Sequence, residues 1–335
     1  MPTSSIVRRS ASRICAAVST RMIVKLSTAK DAEERRINGT LSSVSATVNV
    51  NGRVCDQEHA VIPVFDHGFL YGEGVYETLR TYNGRPFLFD RHMQRLRNSS
   101  RMLQLPVPIS DAEMDARCRE TMKAAGLGDG PQNEAYIRIL LTRGVGELSY
   151  DPVGCPTPSI VIIVKPQIDP PAHVYEQGVK LALVDIVRNH PGSVNPLIKS
   201  NNLLNNALAM QEAFRRGAYE GIMRNFRGEL AECTQSNLFI VRDGVAMTPP
   251  LDAGLLPGIT RAFLIEVGEE AGIRVRESVL RDADLFGADE VFFTSTTRGV
   301  VPATRVDDHL IGGGAPGPIT KALRLAYDKK AQTSR

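Results

Sequence analysis

The chain has 335 residues, 42% hydrophobic and 23% charged, a globular balance in a chain long enough for two domains. Its net charge of +3 comes without a long basic block, which argues against a nucleic-acid partner, and no apolar run reaches membrane-spanning length. The five cysteines, Cys15, Cys55, Cys118, Cys155 and Cys233, are scattered without a C-x-x-C pair, so neither a disulfide framework nor a zinc site is expected and a reducing compartment fits best.

Residues 1–44 stand apart. Arg8, Arg9, Arg13, Arg21, Lys25 and Lys30 all precede the first acid, Asp31, among many Ser, Ala and Thr. The segment reads as an unstructured leader on a cytoplasmic protein, or as a transit peptide for a mitochondrion or plastid. Ile14–Val18 is too short for the apolar core of a secretory signal.

Thr47 to Val54 alternates around Asn51-Gly52 and predicts a hairpin. From Val75 to Tyr82 the pattern has period two, which places Tyr76 and Arg80 on one strand face, with Tyr71 just ahead in a glycine-rich loop and Asn83-Gly84 closing a second hairpin. Asp90 is the expected N-cap of a helix over 91–103, and Ser110-Asp-Ala-Glu113 opens another that Gly126 stops. Strands are expected over 134–142, where Tyr136 and Arg138 share a face, and over 159–165.

Three prolines in Pro166-Gln-Ile-Asp-Pro-Pro171 mark a domain boundary. The expected division is a small α/β domain over 45–165, a linker over 166–173 and a large α/β domain over 174–330. The second part predicts strands over 179–187, 221–225, 229–232, 236–241, 245–248 and 290–294, and helices from Lys199 to about Arg216 and over 257–271.

Lys199 lies where an apolar Leu197-Ile198 step meets that first helical pattern. A lysine at such a junction can be partly desolvated, and a neutral amine attacks carbonyls. Glu232 lies in Leu230-Ala-Glu-Cys-Thr-Gln-Ser-Asn-Leu238; if that strand packs over the same pocket, its carboxylate can face a basic ring nitrogen. Leu256-Pro-Gly-Ile-Thr-Arg261 opens a helix whose free N–H groups make an anion site, Thr294-Ser-Thr-Thr-Arg298 adds hydroxyls, and Arg95 can complete a phosphate cage.

From Asn49 to about Tyr327 the chain resembles the class IV, or fold type IV, pyridoxal-phosphate aminotransferases. The resemblance rests on Tyr71-Gly-Glu-Gly-Val-Tyr-Glu77, His92-Met-Gln-Arg-Leu96, Lys199-Ser-Asn-Asn202, the stretch from Glu232 to Phe239 with Leu256 to Arg261, and Thr294-Ser-Thr-Thr297. It implies a two-domain α/β (α+β) enzyme with pyridoxal 5'-phosphate between the domains, and a homodimer whose partner loops complete each site. It assigns Lys199 as the Schiff-base lysine, Glu232 as the pyridine-nitrogen partner, and Arg95, Ile259, Thr260 and Thr296 as the phosphate site. Tyr71, Tyr76, Arg80, Tyr136, Arg138 and Thr297 resemble the substrate pocket of branched-chain amino acid aminotransferases. The chain departs from that branch at Leu204, where a tyrosine is usual, and at Thr297-Arg298-Gly299, where Ala-Ala-Glu is usual. The expected reaction is transamination of leucine, isoleucine or valine with 2-oxoglutarate. Aminodeoxychorismate lyase and D-amino acid aminotransferase are the alternatives.

Overall fold

The computed structural model describes residues 45–334, so the expectations for the leader over 1–44 lie outside the described residues. β1 (Thr47–Val50) and β2 (Arg53–Asp56) form the expected hairpin, with Asn51 and Gly52 both at positive φ. A helical turn, α1 (His67–Leu70), precedes β3 (Gly74–Tyr82), which pairs with the short β4 (Arg85–Pro86). Then come α2 (Phe89–Met102), α3 (Asp111–Ala124), β5 (Ala135–Thr142) and β6 (Ser159–Pro166). The strands make an antiparallel six-stranded sheet in the order β2-β1-β6-β5-β3-β4.

One face of this sheet is apolar at every second position: Val75 and Leu79 of β3, Ile137, Ile139 and Leu141 of β5, and Ile160, Ile162 and Val164 of β6. These pack on Met93 and Leu96 of α2 and on Met114, Cys118 and Met122 of α3. The opposite face carries Tyr76, Thr78 and Arg80 of β3 beside Tyr136 and Arg138 of β5, with Thr78 opposite Arg138 and Arg80 opposite Tyr136. Ser110 caps α3 as expected, its hydroxyl accepting from the Glu113 N–H at 3.1 Å. Asp90 does not cap α2. The helix starts at Phe89, Leu88 holds the cap position at φ 52°, and Asp90 sits in the first turn near the positive end of the dipole.

The second half runs through α4 (Ala172–Glu176), β7 (Val179–Leu183), α5 (Leu204–Arg215), β8 (Glu220–Arg224), β9 (Leu230–Cys233), β10 (Asn237–Arg242) and β11 (Val245–Thr248). It continues with α6 (Ile259–Glu270), β12 (Val275–Glu277), α7 (Asp282–Phe286), β13 (Glu290–Ser295), β14 (Gly299–Val306), β15 (His309–Leu310) and α8 (Pro318–Thr333). Its mixed sheet has the order β12-β11-β10-β13-β14-β7-β8-β9, with β15 added at β14. Both faces are covered. Leu238, Ile240, Val291, Phe293 and Val301 face one core, while Phe239, Val241, Phe292 and Val300 face Phe263 and Leu264 of α6 and Leu323 and Tyr327 of α8.

Three expectations need correction here. The strand expected over 179–187 ends at Leu183, because the chain then turns to carry Arg188 toward Glu232. The helix expected to run from Lys199 begins only at Leu204, and Lys199 lies in irregular backbone just ahead of it, at the expected junction. Beyond Gly299 the sequence reading assigned no element, yet β14, β15 and α8 lie there.

Candidate active site

Lys199 is seated by the first sheet. Its N–H donates to the Ser99 hydroxyl of α2 at 3.1 Å, and its carbonyl accepts from the Tyr76 N–H at 2.9 Å. Val75 and Ser200 form an isolated antiparallel bridge, and the Asn201 N–H donates to the Gly74 carbonyl. Gly74 permits this approach: a Cβ there would come 2.6 Å from the Leu141 carbonyl oxygen and 2.5 Å from the Asn201 amide nitrogen. The lysine Nζ stands 4.5 Å from the centre of the Tyr76 ring, and no carboxylate among the described residues pairs with it. It opens into a cavity of about 640 Å³ between the two sheets.

Across this cavity Glu232 projects from β9 and is buried. Its carboxylate accepts from Arg188 Nε at 2.7 Å and from the Leu256 N–H at 3.1 Å. Burial pushes the Glu232 carboxyl above the usual range, against the pull of Arg188 and of the Leu256 N–H. Arg188 is a site residue that the sequence reading missed.

A third corner collects donors for an anion. The N-terminus of α6 presents Ile259 and Thr260 to the cavity, and its N-cap, Gly258, offers no side-chain acceptor. A Cβ on Gly258 would overlap the side chain of Asn237. Thr294 adds a buried hydroxyl without a partner, Thr296 a second hydroxyl, and Arg95 reaches in from α2, donating to the Pro257 carbonyl at 3.0 Å. Backbone amides, hydroxyls and a guanidinium together form the donor set of a phosphate site.

Arg95 is fixed from behind. Glu77 is fully buried on the core-facing side of β3 and accepts from Arg95 Nε and Nη2, both at 2.7 Å, with His92 Nδ1 also at 2.7 Å. The sequence carried the signal: a glutamate at an apolar period-two position, and His92 and Arg95 one helical turn apart. Burial opposes the charge on Glu77, but Arg95 and His92 outweigh it and hold the carboxyl well below the ordinary value of 4.5. Its stabilising contribution is complete above about pH 4.5 and is lost as pH falls toward the depressed folded value. Glu77→Gln is therefore expected to cost roughly 3 kcal/mol at neutral pH. Urea unfolding should show the gap between parent and variant shrinking in acid; a constant gap down to about pH 3 would refute the role.

The substrate candidates divide. Tyr76, Tyr136, Arg138 and Thr297 line the cavity, with Ile198, Leu203, Ala207 and Met210 adding apolar surface. Arg138 lies 4.1 Å from the Tyr76 ring centre and pairs with no carboxylate among the described residues. Tyr71 and Arg80 are not brought to this cavity. Tyr71 packs between His67, whose ring it meets edge-on, and the tilted ring of the exposed Tyr150. Arg80 turns away to pair with Asp169 at 2.7 Å and to cover the Tyr82 ring. Leu204 is exposed at the start of α5. Arg298 lines the cavity, but its guanidinium is matched by buried Glu220, 3.0 Å away, and donates to the Ser295 hydroxyl.

The family model for class IV amino-transferases matches residues 74–306. A branched-chain-amino-acid aminotransferase of Escherichia coli K12 is 35% identical over 283 residues, covering 83% of this chain and 90% of that one. A D-alanine aminotransferase of Bacillus licheniformis is 33% identical over 276 residues, covering 82% and 94%. The crystal structure of the Escherichia coli branched-chain amino acid aminotransferase superposes with a TM-score of 0.80 at 34% identity, covering 84% of this chain and 93% of that one.

Proposed function

We propose that this chain, which belongs to the class IV aminotransferase family, moves the amino group of a branched-chain L-amino acid to 2-oxoglutarate, leaving a 2-oxo acid and L-glutamate. The observation that carries this reading is Arg138. It is an uncompensated guanidinium at the end of an aromatic and apolar wall. Such a wall takes an aliphatic side chain, and the guanidinium takes the distal carboxylate of glutamate when the second substrate enters.

Enzymes of this family work with pyridoxal 5'-phosphate, and the donor set described above fits it. When bound, the cofactor supplies an electron sink for charge developing at the substrate α-carbon. Lys199 Nζ would hold it and carry the proton taken from that carbon. Glu232, paired with Arg188, would face the ring nitrogen and favour a proton on it. Ile259, Thr260, Thr296 and Arg95 would bind the phosphate, and Thr297 the substrate α-carboxylate.

Three further assignments belong to the same proposal. Residues 45–165 and 174–330 act as two domains, and residues 1–44 serve as a leader on a cytoplasmic enzyme. The working form is a homodimer. Its support is an exposed apolar surface around Tyr71: Phe69 is 74% exposed and Tyr150 87%, with Val64, Leu148 and Val153 also exposed. Among the described residues no helix is long and apolar enough to cross a membrane.

A cofactor absorption titration tests the reaction. L-leucine without acceptor should bleach the visible band, and 2-oxoglutarate should restore it. A response to D-alanine alone moves the assignment to the D-amino acid branch, and pyruvate released from aminodeoxychorismate moves it to the lyase. Arg138→Ala should raise KM for 2-oxoglutarate by about 10–100-fold while leaving leucine binding within about threefold, the scale of one charged hydrogen bond.

A further inference from the structure

The turn from Ser295 to Gly299, between β13 and β14, also borders a second cavity of about 980 Å³, which shares Tyr136, Met210 and Gln235 with the first. Thr297 and Arg298 line both cavities, and the Arg298 side chain packs over the Tyr219 and Phe293 rings and pairs with Glu220. The turn's own internal bond is long, with the Arg298 N–H 3.4 Å from the Ser295 carbonyl.

Two side chains from the 167–175 segment hold the turn's carbonyls. Gln167 Nε2 donates to the Thr297 carbonyl at 2.9 Å, and the Tyr175 hydroxyl donates to the Arg298 carbonyl at 3.0 Å. The segment is itself anchored. The Gln167 N–H donates to the Glu134 carbonyl, Asp169 pairs with Arg80, and the Tyr175 ring lies 4.1 Å beneath the Arg324 guanidinium. This gives Arg80 a place, since it secures the segment that holds the turn.

We propose that Gln167 and Tyr175 are positioning residues for recognition of the substrate α-carboxylate, acting through the Thr297–Arg298 turn. A peptide unit is planar, so holding two successive carbonyls fixes two successive planes. Those planes are Thr297–Arg298 and Arg298–Gly299; holding them restrains the exit of the turn and so narrows the rotation open to the neighbouring Thr296 and Thr297 N–H groups, which no hydrogen bond among the described residues engages. This inference rests on the aminotransferase reading and on Thr297 as the carboxylate contact.

The test uses the holoenzyme with Tyr175→Phe and Gln167→Leu. The Kd of the amino donor is read from the cofactor band in a single half-reaction, together with steady-state KM and kcat, cofactor content and holoenzyme Tm. Each variant should raise donor Kd and KM about 5–10-fold, the scale of one lost hydrogen bond. Tyr175→Phe should leave kcat within about twofold, with cofactor content and Tm unchanged; both variants together should weaken binding by less than the product, because they hold one turn. Unchanged Kd overturns the proposal, and so does a rise in Kd that tracks a fall in Tm or cofactor content. Should Gln167→Leu lower Tm, Tyr175→Phe, which removes one oxygen atom, decides alone. If the unmodified protein responds to no amino acid, the aminotransferase reading falls and this inference with it; if it responds and both variants bind normally, only this inference falls.

Discussion

Lys199→Ala is expected to remain folded and to lose transamination by about four orders of magnitude, the upper scale of what one positioned proton-transfer group supplies. The structure makes this a clean experiment. The side chain of Lys199 takes part in no ion pair among the described residues, and its contact with the Tyr76 ring, at 4.5 Å, is worth only about 0.5–1 kcal/mol. What seats residue 199 is backbone: its N–H to Ser99 and its carbonyl to Tyr76. Alanine keeps both bonds. Thermal unfolding should therefore place the variant within a few degrees of the parent, while the visible band of the lysine-bound cofactor disappears. Turnover within about tenfold of the parent would remove Lys199 from the chemistry and the aminotransferase assignment with it.

Glu232→Gln is expected to lower kcat by about 10²–10³-fold, as loss of a preorganised charge aimed at the reacting system does. The substitution keeps the shape of the side chain and deletes its charge. It also leaves Arg188 without its counter-ion in a buried position. The new environment is therefore doubly unfavourable to a protonated ring nitrogen: the anion is gone and a cation remains nearby. The phosphate corner at Ile259, Thr260 and Arg95 is untouched, so cofactor affinity should change far less than rate. Arg188→Met in the same background should recover part of the lost rate by removing the unpaired charge. An unchanged kcat for Glu232→Gln, at full cofactor content, would sink the assigned role.

Much of the site could be read in the sequence because its chemistry is local. The helix opening at Gly258, the period-two face of Tyr76 and the Ser110 cap each depend on residues a few positions apart, and local sequence carries that information. Arg188 could not be found this way. Its partner Glu232 lies across the sheet, 44 positions on, and nothing near Arg188 forms a motif. Arg80 and Tyr71 follow their local pattern, yet in the single chain a tertiary contact holds each side chain outside the cavity, Asp169 in one case and His67 with Tyr150 in the other. Asp90 shows how little separates a cap from a first-turn residue, since a shift of two positions moves the acid inside the helix while keeping it at the same end of the dipole. The region after Gly299 was legible in part. Leu323, Tyr327 and Ala331 recur at helical spacing and are buried, a stripe that marks α8.

The seating of Lys199 has a consequence for how this chain can be divided. The residue belongs in sequence to the second half, yet its backbone is stitched to β3 and α2 of the first, through Gly74, Val75, Tyr76 and Ser99. Neither half expressed alone would contain a seated lysine. Two fragments cut within 167–171 would have to reassociate before the amine had a position at all. In the intact chain the amine is held against the strand that carries Tyr76, next to the strand that carries Arg138, while Glu232 comes from the second sheet. A cut that removed the first sheet would therefore take away both the seat of the amine and the proposed substrate wall, and leave only the carboxylate.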